Sequence, residues 1–250
     1  MQCDDTFLCD WMSEYLTLLD ISRLVVGVLV LSYASYTDIK TRRAPNILWI
    51  IMGVLGAVFL IANYFLMDLS GQMFYLLFIP IMIVLMYVLF QLGIIFGGAD
   101  AKAIMALAIL VPFTPIIYQF PLTYSLMPTS WVIFSNSVVI FLLLPLSLFI
   151  YNLIKGNRMF PQAFLGYKMP LVKAKEKFVW PLERIKDGKR KFTYRPSNIN
   201  EDEVYAVFEK AGIEEIWVTP KVPFMIPLLA GFITTFIVGD ILTIIMLSIV

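Results

Sequence analysis

Long apolar runs alternate with short polar breaks along the chain, and most runs are about 20 residues long, enough to cross a hydrocarbon core of ~30 Å at ~1.5 Å per helical residue. The first extends from Leu19 to Tyr36 and ends in Thr37-Asp38-Ile39-Lys40-Thr41-Arg42-Arg43. Ala44-Pro45-Asn46 then supplies a helix stop and a fresh N-cap. A second run covers Ile47 to Met67, and a polar break from Asp68 to Gln72 leads to a third, from Met73 to Phe96. Gly97-Gly98-Ala99-Asp100 opens a fourth, from Ala101 to Tyr118. An uncharged, Pro-containing loop precedes the fifth, Trp131 to Ile154, and a polar segment from Lys155 to Lys221 precedes the sixth, Val222 to the C-terminus. The pattern predicts an all-α polytopic membrane protein, six transmembrane helices with a small cytoplasmic subdomain between helices five and six. The expected domains are residues 1–18, an extracytoplasmic N-terminal segment; 19–154, helices one to five; 155–221, the cytoplasmic subdomain; and 222–250, helix six.

Composition removes the soluble alternative. Of 250 residues, 60% are hydrophobic and 15% charged, with mean hydropathy +0.84, against about 45–50% and about 25% in soluble domains. A signal peptide begins with positive charge, whereas Asp4, Asp5, Asp10, Glu14 and Asp20 make this N-terminus acidic, so the first run reads as a retained helix. Basic residues in short loops stay in the cytoplasm. Lys40, Arg42 and Arg43 place the first loop inside, Lys102 the third, and Lys155 with Arg158 the large polar segment. The loops from Asp68 to Gln72 and from Gln119 to Ser130 carry neither Lys nor Arg and fit outside, which puts both termini outside. Gly53 and Gly56 offer a close helix contact, within the bundle or between chains.

The net charge of +1 conceals a segregation within the polar segment. Lys155 to Arg195 holds 12 of the 19 basic residues, a net of +9, and Pro196 to Thr219 has a net of −5. The plain reading is a basic part lying on anionic lipid head groups and an acidic helix face in water. Asn200 can cap a helix through Ala211, Gly212 can end it, and Ile213 to Val218 reads as a short strand. No internal repeat or low-complexity tract is evident.

The chain contains no histidine and only two cysteines, Cys3 and Cys9. Histidine-dependent catalysis is thereby excluded, no metal site is expected, and a Cys3–Cys9 disulfide stays open. Ionisable residues in or at the edge of a span are expensive and are functional candidates until a partner explains them. Four acids qualify, Asp20, Asp38, Asp100 and Asp240. With helix one entering the membrane near Leu19, Asp38 lies about 28 Å along the axis, at the inner boundary of the hydrocarbon. Asp100 arrives at that same boundary between the third and fourth runs. Two carboxyls brought close cannot both ionise, so they share one proton and can serve as acid and base without histidine. The ionised one draws a proton from water while the protonated one donates to a peptide carbonyl, which is aspartyl proteolysis. Taken singly, each aspartate also reads as a helix cap or as a partner of Lys40, Arg42, Arg43 or Lys102. Asp20 and Asp240 belong at the outer end, where Arg23 can pair with either, and are read as structural.

Tyr36 to Asn46, joined with Gly97-Gly98-Ala99-Asp100-Ala101-Lys102 after the third run, resembles the type IV prepilin peptidase family of GxGD membrane aspartyl proteases. The six-run arrangement and Ile216-Trp217-Val218-Thr219-Pro220 leading into the last helix are more similar to the archaeal preflagellin peptidases. The resemblance implies Asp38 and Asp100 as the catalytic pair, with Gly97, Gly98 and Ala99 forming the turn that presents Asp100. Ala99 departs from the glycine of the family pattern, and the Cys-rich cytoplasmic element of methylating bacterial members is lacking, so N-methylation is not expected. It further implies archaellin or pilin-like precursors as partners, membrane lipid as surroundings, and no metal, cofactor or nucleic acid. A basic leader followed by an apolar helix has its cleavage site at the inner boundary, and Glu201, Asp202 and Glu203 are possible leader contacts. The competing readings are a presenilin-like protease, whose Pro-Ala-Leu motif is missing, a proton-coupled transporter, and a non-catalytic scaffold.

Overall fold

A backbone surrounded by hydrocarbon must satisfy its own hydrogen bonds, and the apolar runs accordingly fold as helices. The computed structural model describes residues 6–66, 73–94, 97–125, 127–186, 188–193 and 200–249. In chain order they form α1 (Thr6–Thr41), α2 (Asn46–Leu66), α3 (Met73–Gln91), α4 (Gly98–Leu110), α5 (Thr129–Phe141) and α6 (Leu143–Ile154). The polar segment contains α7 (Gln162–Leu165), β1 (Tyr167–Pro170), α8 (Leu171–Glu176), β2 (Val179–Pro181), β3 (Glu183–Lys186), β4 (Lys189–Phe192), α9 (Glu201–Lys210) and β5 (Glu215–Pro220). The chain finishes with α10 (Met225–Ile237) and α11 (Ile241–Ile249).

Glu14–Thr41, Asn46–Phe65, Phe74–Gln91 and Thr129–Ile154 are long and apolar enough to cross a membrane. Met225–Ile237 and Ile241–Ser248, bent by 65°, make a fifth candidate if they count as one span. Two expected runs are therefore corrected. The fourth is helical only to Leu110, because Pro112 has no N–H to continue the ladder and Val111 already leaves helical geometry. Its remaining apolar residues, up to Tyr118, form an irregular segment with an isolated bridge between Ile117 and Phe120. The sixth breaks at Gly239-Asp240. The third run's helix stops at Gln91, and its expected end at Phe96, the outer loop from Asp68 to Gln72 and the Cys3–Cys9 pairing lie outside the described residues.

Two units make up the chain, residues 1–141 with 223–250, and residues 142–222. At the centre of the first is α4, whose Ala101, Ala103, Ile104, Ala106, Leu107, Ala108 and Leu110 are buried. It packs on α1, α2, α3 and α5. Alanine lets these neighbours approach closely, the usual source of van der Waals association where lipid is as apolar as the protein. On α2 the same device is stronger: a Cβ at Gly56 would stand 2.7 Å from the Leu110 Cα. Gly56 thus serves packing within the chain. The opposite faces of α2 and α3 expose Ile50, Val54 and Ile61, and Phe74, Leu77 and Val84, as lipid-facing helices should.

The break between α10 and α11 is held by side chains that replace lost helical bonds. Asn136, buried in α5, donates to Gly239 C=O at 2.8 Å and to Thr235 Oγ1 at 3.0 Å, and accepts from Ile241 N–H at 3.0 Å. Asp240 accepts from Leu242 N–H (3.0 Å), Thr243 Oγ1 (2.8 Å) and Ser125 Oγ (2.8 Å), which makes it a helix cap.

The second unit corrects the all-α expectation. An antiparallel sheet of order β1-β5-β2 places β5 in the middle, with Met169 opposite Ile216 and Val179 opposite Pro220. β3 and β4 form a separate antiparallel hairpin. One cluster joins Met169, Leu171, Val179, Val204, Phe208, Ile216 and Val218, and a second joins Ala163, Leu182 and Trp217. α9 begins after Asn200, as its sequence predicts, and ends before Gly212, which takes the left-handed conformation (φ +66°) that glycine adopts without strain. The expected strand is shifted slightly, to Glu215–Pro220.

Candidate active site

Asp38 sits in the last turn of α1 and Asp100 in the first turn of α4, both partly buried. α1 ends because Arg42 turns left-handed (φ +56°) and its N–H bonds back to the Asp38 carbonyl at 3.0 Å. At the other element, Gly97 is the extended residue before the helix, and Gly98 and Ala99 are already helical. The Gly-Gly-Ala stretch thus starts the helix, with the N–H groups of Asp100 and Ala101 bonded to Gly97 C=O at 3.1 and 3.3 Å. The Asp100 side chain folds back over Gly97: a Cβ there would lie 2.8 Å from the Asp100 Cγ and closer still to Oδ2. Only glycine leaves that space open. A Cβ at Gly98 would meet just the Phe90 ring, at 3.3 Å.

The two carboxyls are near enough for the charge of Asp38 to act on Asp100. Neighbouring cations have other commitments as well. Lys102 donates to Asn46 Oδ1 at 2.9 Å, tying the start of α4 to the start of α2, and Lys40 lies 4.6 Å over the Tyr36 ring. The charge of Arg42 acts on Asp38. A carboxyl pair from two distant chain segments, with a fixed backbone beneath one member, can share a proton and work as acid and base.

The remaining acids have structural partners. Asp20 pairs with buried Arg23 at 2.7 Å and accepts from Ile116 N–H at 2.8 Å, while Asp240 is the cap described above, so Arg23 chooses Asp20. In the second unit, Glu201, Asp202 and Glu203 form the first turn of α9, where negative charge favours the helix N-terminus. Glu201 pairs with Lys221 at 2.5 Å and Glu203 accepts from Asn200 at 2.9 Å. Asp202 is exposed. Burial, then the charges of Glu201 and Asp202, push the Tyr205 phenol up to about 12.

A cavity of about 770 Å³ lies away from the aspartate pair. Asp20, Arg23, Asn63, Phe113 and Tyr118 help line it, near the opposite end of α1 from Asp38. Sequence reasoning did not find the Asn46 contact of Lys102, although both residues lie within the motifs it singled out.

Comparison with known proteins bears on the same motifs. Residues 25–154, which contain Asp38 and Asp100, match the type IV leader peptidase family. Residues 159–241 match the family described as archaeal peptidase A24 C-terminus type II. The chain is 32% identical to a preflagellin peptidase of Methanococcus voltae over 86% of its own length and 94% of that protein. It is 31% identical to preflagellin peptidases of Methanococcus maripaludis and Methanocaldococcus jannaschii, again over 86% of its length and 94% and 93% of theirs. A family match across more than half of the residues, with similarity along nearly the whole of each relative, makes this chain a member of the type IV leader peptidase family and therefore a protease.

Proposed function

We propose that the chain is a membrane aspartyl endopeptidase that removes the basic leader from archaellin or pilin-like precursors at the cytoplasmic membrane face. The observation that carries this reading is that Asp38, at the end of α1, and Asp100, at the start of α4, both fall within residues 25–154, the stretch that matches the type IV leader peptidase family. The preflagellin peptidase names of its relatives support the substrate class. In the topology we propose, α4 with its irregular continuation and the bent pair of α10 and α11 each make one pass, so that six passes leave both termini outside and the polar segment and both aspartates lie on the inner side.

The ionised carboxyl takes a proton from water as its oxygen attacks the scissile carbonyl, and the protonated carboxyl gives its proton to the carbonyl oxygen. Collapse of the tetrahedral intermediate breaks the C–N bond, with a proton delivered to the departing amine and the carboxyls returned to their one-proton state. The pair needs no metal or cofactor for this cycle. Purified full-length protein is expected to cut a leader-bearing precursor once, between the basic leader and the apolar helix, with mass spectrometry of the products locating the cut. An intact precursor, with refolded and correctly inserted enzyme, overturns the proposal.

The acids of α9 are proposed leader contacts, and their partners say how to test them. Asp202→Asn removes an exposed charge and leaves the Glu201–Lys221 and Asn200–Glu203 contacts intact. Processing of a basic leader is expected to slow at low salt, and the triple change to Gln, Asn and Gln at 201–203 to slow it further and flatten its salt dependence. Unchanged low-salt kinetics in both variants would remove these residues from the substrate path.

A further inference from the structure

Polar atoms stand unpaired on residues that line the cavity at the end of α1 opposite Asp38. Its volume of about 770 Å³ lies in the range of small-molecule sites, roughly 300–1,000 Å³. Leu16, Ile21 and Phe113 give it apolar walls, and Asp20, Arg23 and Asn63 are its buried polar residues. Arg23 and Asn63 are each only 2% exposed. Nη1 of Arg23 donates to Asp20 Oδ1 at 2.7 Å, and Nη2 reaches across to Phe59 C=O on α2 at 3.5 Å. Asn63 comes one helical turn after Phe59, so its amide starts beside the place where the guanidinium meets α2. Arg23 Nε and Asn63 Oδ1 are nonetheless buried with no hydrogen-bond partner.

A buried donor and a buried acceptor left unpaired are costly, above all between apolar helices. Asp20 is already committed, with Oδ1 held by Arg23 and Oδ2 by Ile116 N–H. The partner that satisfies both orphans must accept from Nε and donate to Oδ1. A carboxylate or phosphate only accepts, so it leaves Asn63 unmet and faces the charge of Asp20. An ammonium only donates, so it leaves Nε unmet and faces the guanidinium. A hydroxyl group does both. The apolar walls suit an alkyl chain attached to it. We infer that this cavity binds an uncharged amphiphile through a hydroxyl group that accepts from Arg23 Nε and donates to Asn63 Oδ1. The inference is independent of the proteolytic mechanism.

The test follows the Arg23 Nε–H resonance by NMR in arginine-labelled full-length protein, held in phosphatidylcholine bilayers whose head groups carry no hydroxyl. Its loss in Arg23→Lys identifies the resonance. Octyl glucoside is titrated below its solubilising concentration, in parallel with octanoate, octyltrimethylammonium and glucose. Octyl glucoside alone is expected to shift the resonance saturably and to slow its hydrogen exchange about fivefold, the order of one neutral hydrogen bond. Asn63→Leu should abolish that response and melt no lower than wild type, because it removes an unpaired buried acceptor. No saturable response to octyl glucoside would mean a cavity that holds water only, and overturns the inference. An equal response to octanoate or to octyltrimethylammonium overturns the hydroxyl assignment, and an equal response to glucose overturns the amphiphile. These wild-type titrations decide the matter however the variant folds, and a response that persists in folded Asn63→Leu overturns the inference as well.

Discussion

Asparagine in place of Asp38 or of Asp100 is expected to lower precursor cleavage by about 10²–10⁴-fold, the usual contribution of positioned acid–base groups. Each change preserves shape and removes one titrating oxygen. In the proposed mechanism the two carboxyls work as a unit, so the double variant should be scarcely worse than either single one. Cleavage by wild type should follow a bell-shaped pH dependence whose two apparent pKa values belong to the pair, and each single variant should lose one limb. Single-turnover cleavage of a leader-bearing precursor across pH measures all of this. Near-normal turnover by either variant would make that aspartate structural, a helix terminus residue and nothing more.

The second large effect is expected at Gly97. An added Cβ overlaps the Asp100 carboxyl, so Gly97→Ala must rotate that side chain or shift the first turn of α4. A misplacement of about 1 Å at a reacting group can cost about 10²-fold, and the loss should fall on kcat while KM changes little. Gly98→Ala is the matched control, since its Cβ reaches only the far edge of the Phe90 ring, a side chain that can yield. Alanine also favours helix over glycine. Equal activity in the two alanine variants would show that the position of Asp100 over Gly97 does not matter to the reaction.

Asp38 and Asp100 stood out as candidates because ionisable residues are costly at the edge of an apolar run, and the flanking motifs resembled a known family. The partner of Asp20 was legible too, through Arg23 one helical turn on. Where α4 ends was not, because Val111 to Tyr118 are nearly as apolar as the helix before them, and hydropathy averages over what Pro112 and Pro115 do to the backbone. The bend before α11 escaped for a similar reason: Asn136, which stabilises it, lies on another helix. In the second unit, the strands are short and β2 and β5 end in proline, so periodicity had little length in which to appear. One signal was available and unused. Asp187-Gly188 between two four-residue stretches is a strong two-residue hairpin cue, and the left-handed Gly188 (φ +70°) agrees with it. Reading that stretch as a charge run hid the alternation that sends Glu183 inward and Arg184 outward.

In the proposed mechanism, the enclosure of α4 divides the labour between the two carboxyls. Asp100 is mounted on a helix hemmed in by four others, with Gly56 allowing backbone against backbone at its far end, so its coordinates are set when the bundle forms. Asp38 is mounted where α1 runs out, at a terminus whose last turn is closed by a left-handed Arg42. Any adjustment of the gap between them is then a displacement of one body against a fixed reference. An arriving substrate has a single coordinate to bias, and the entropy lost in aligning the pair is that of one helix end instead of two.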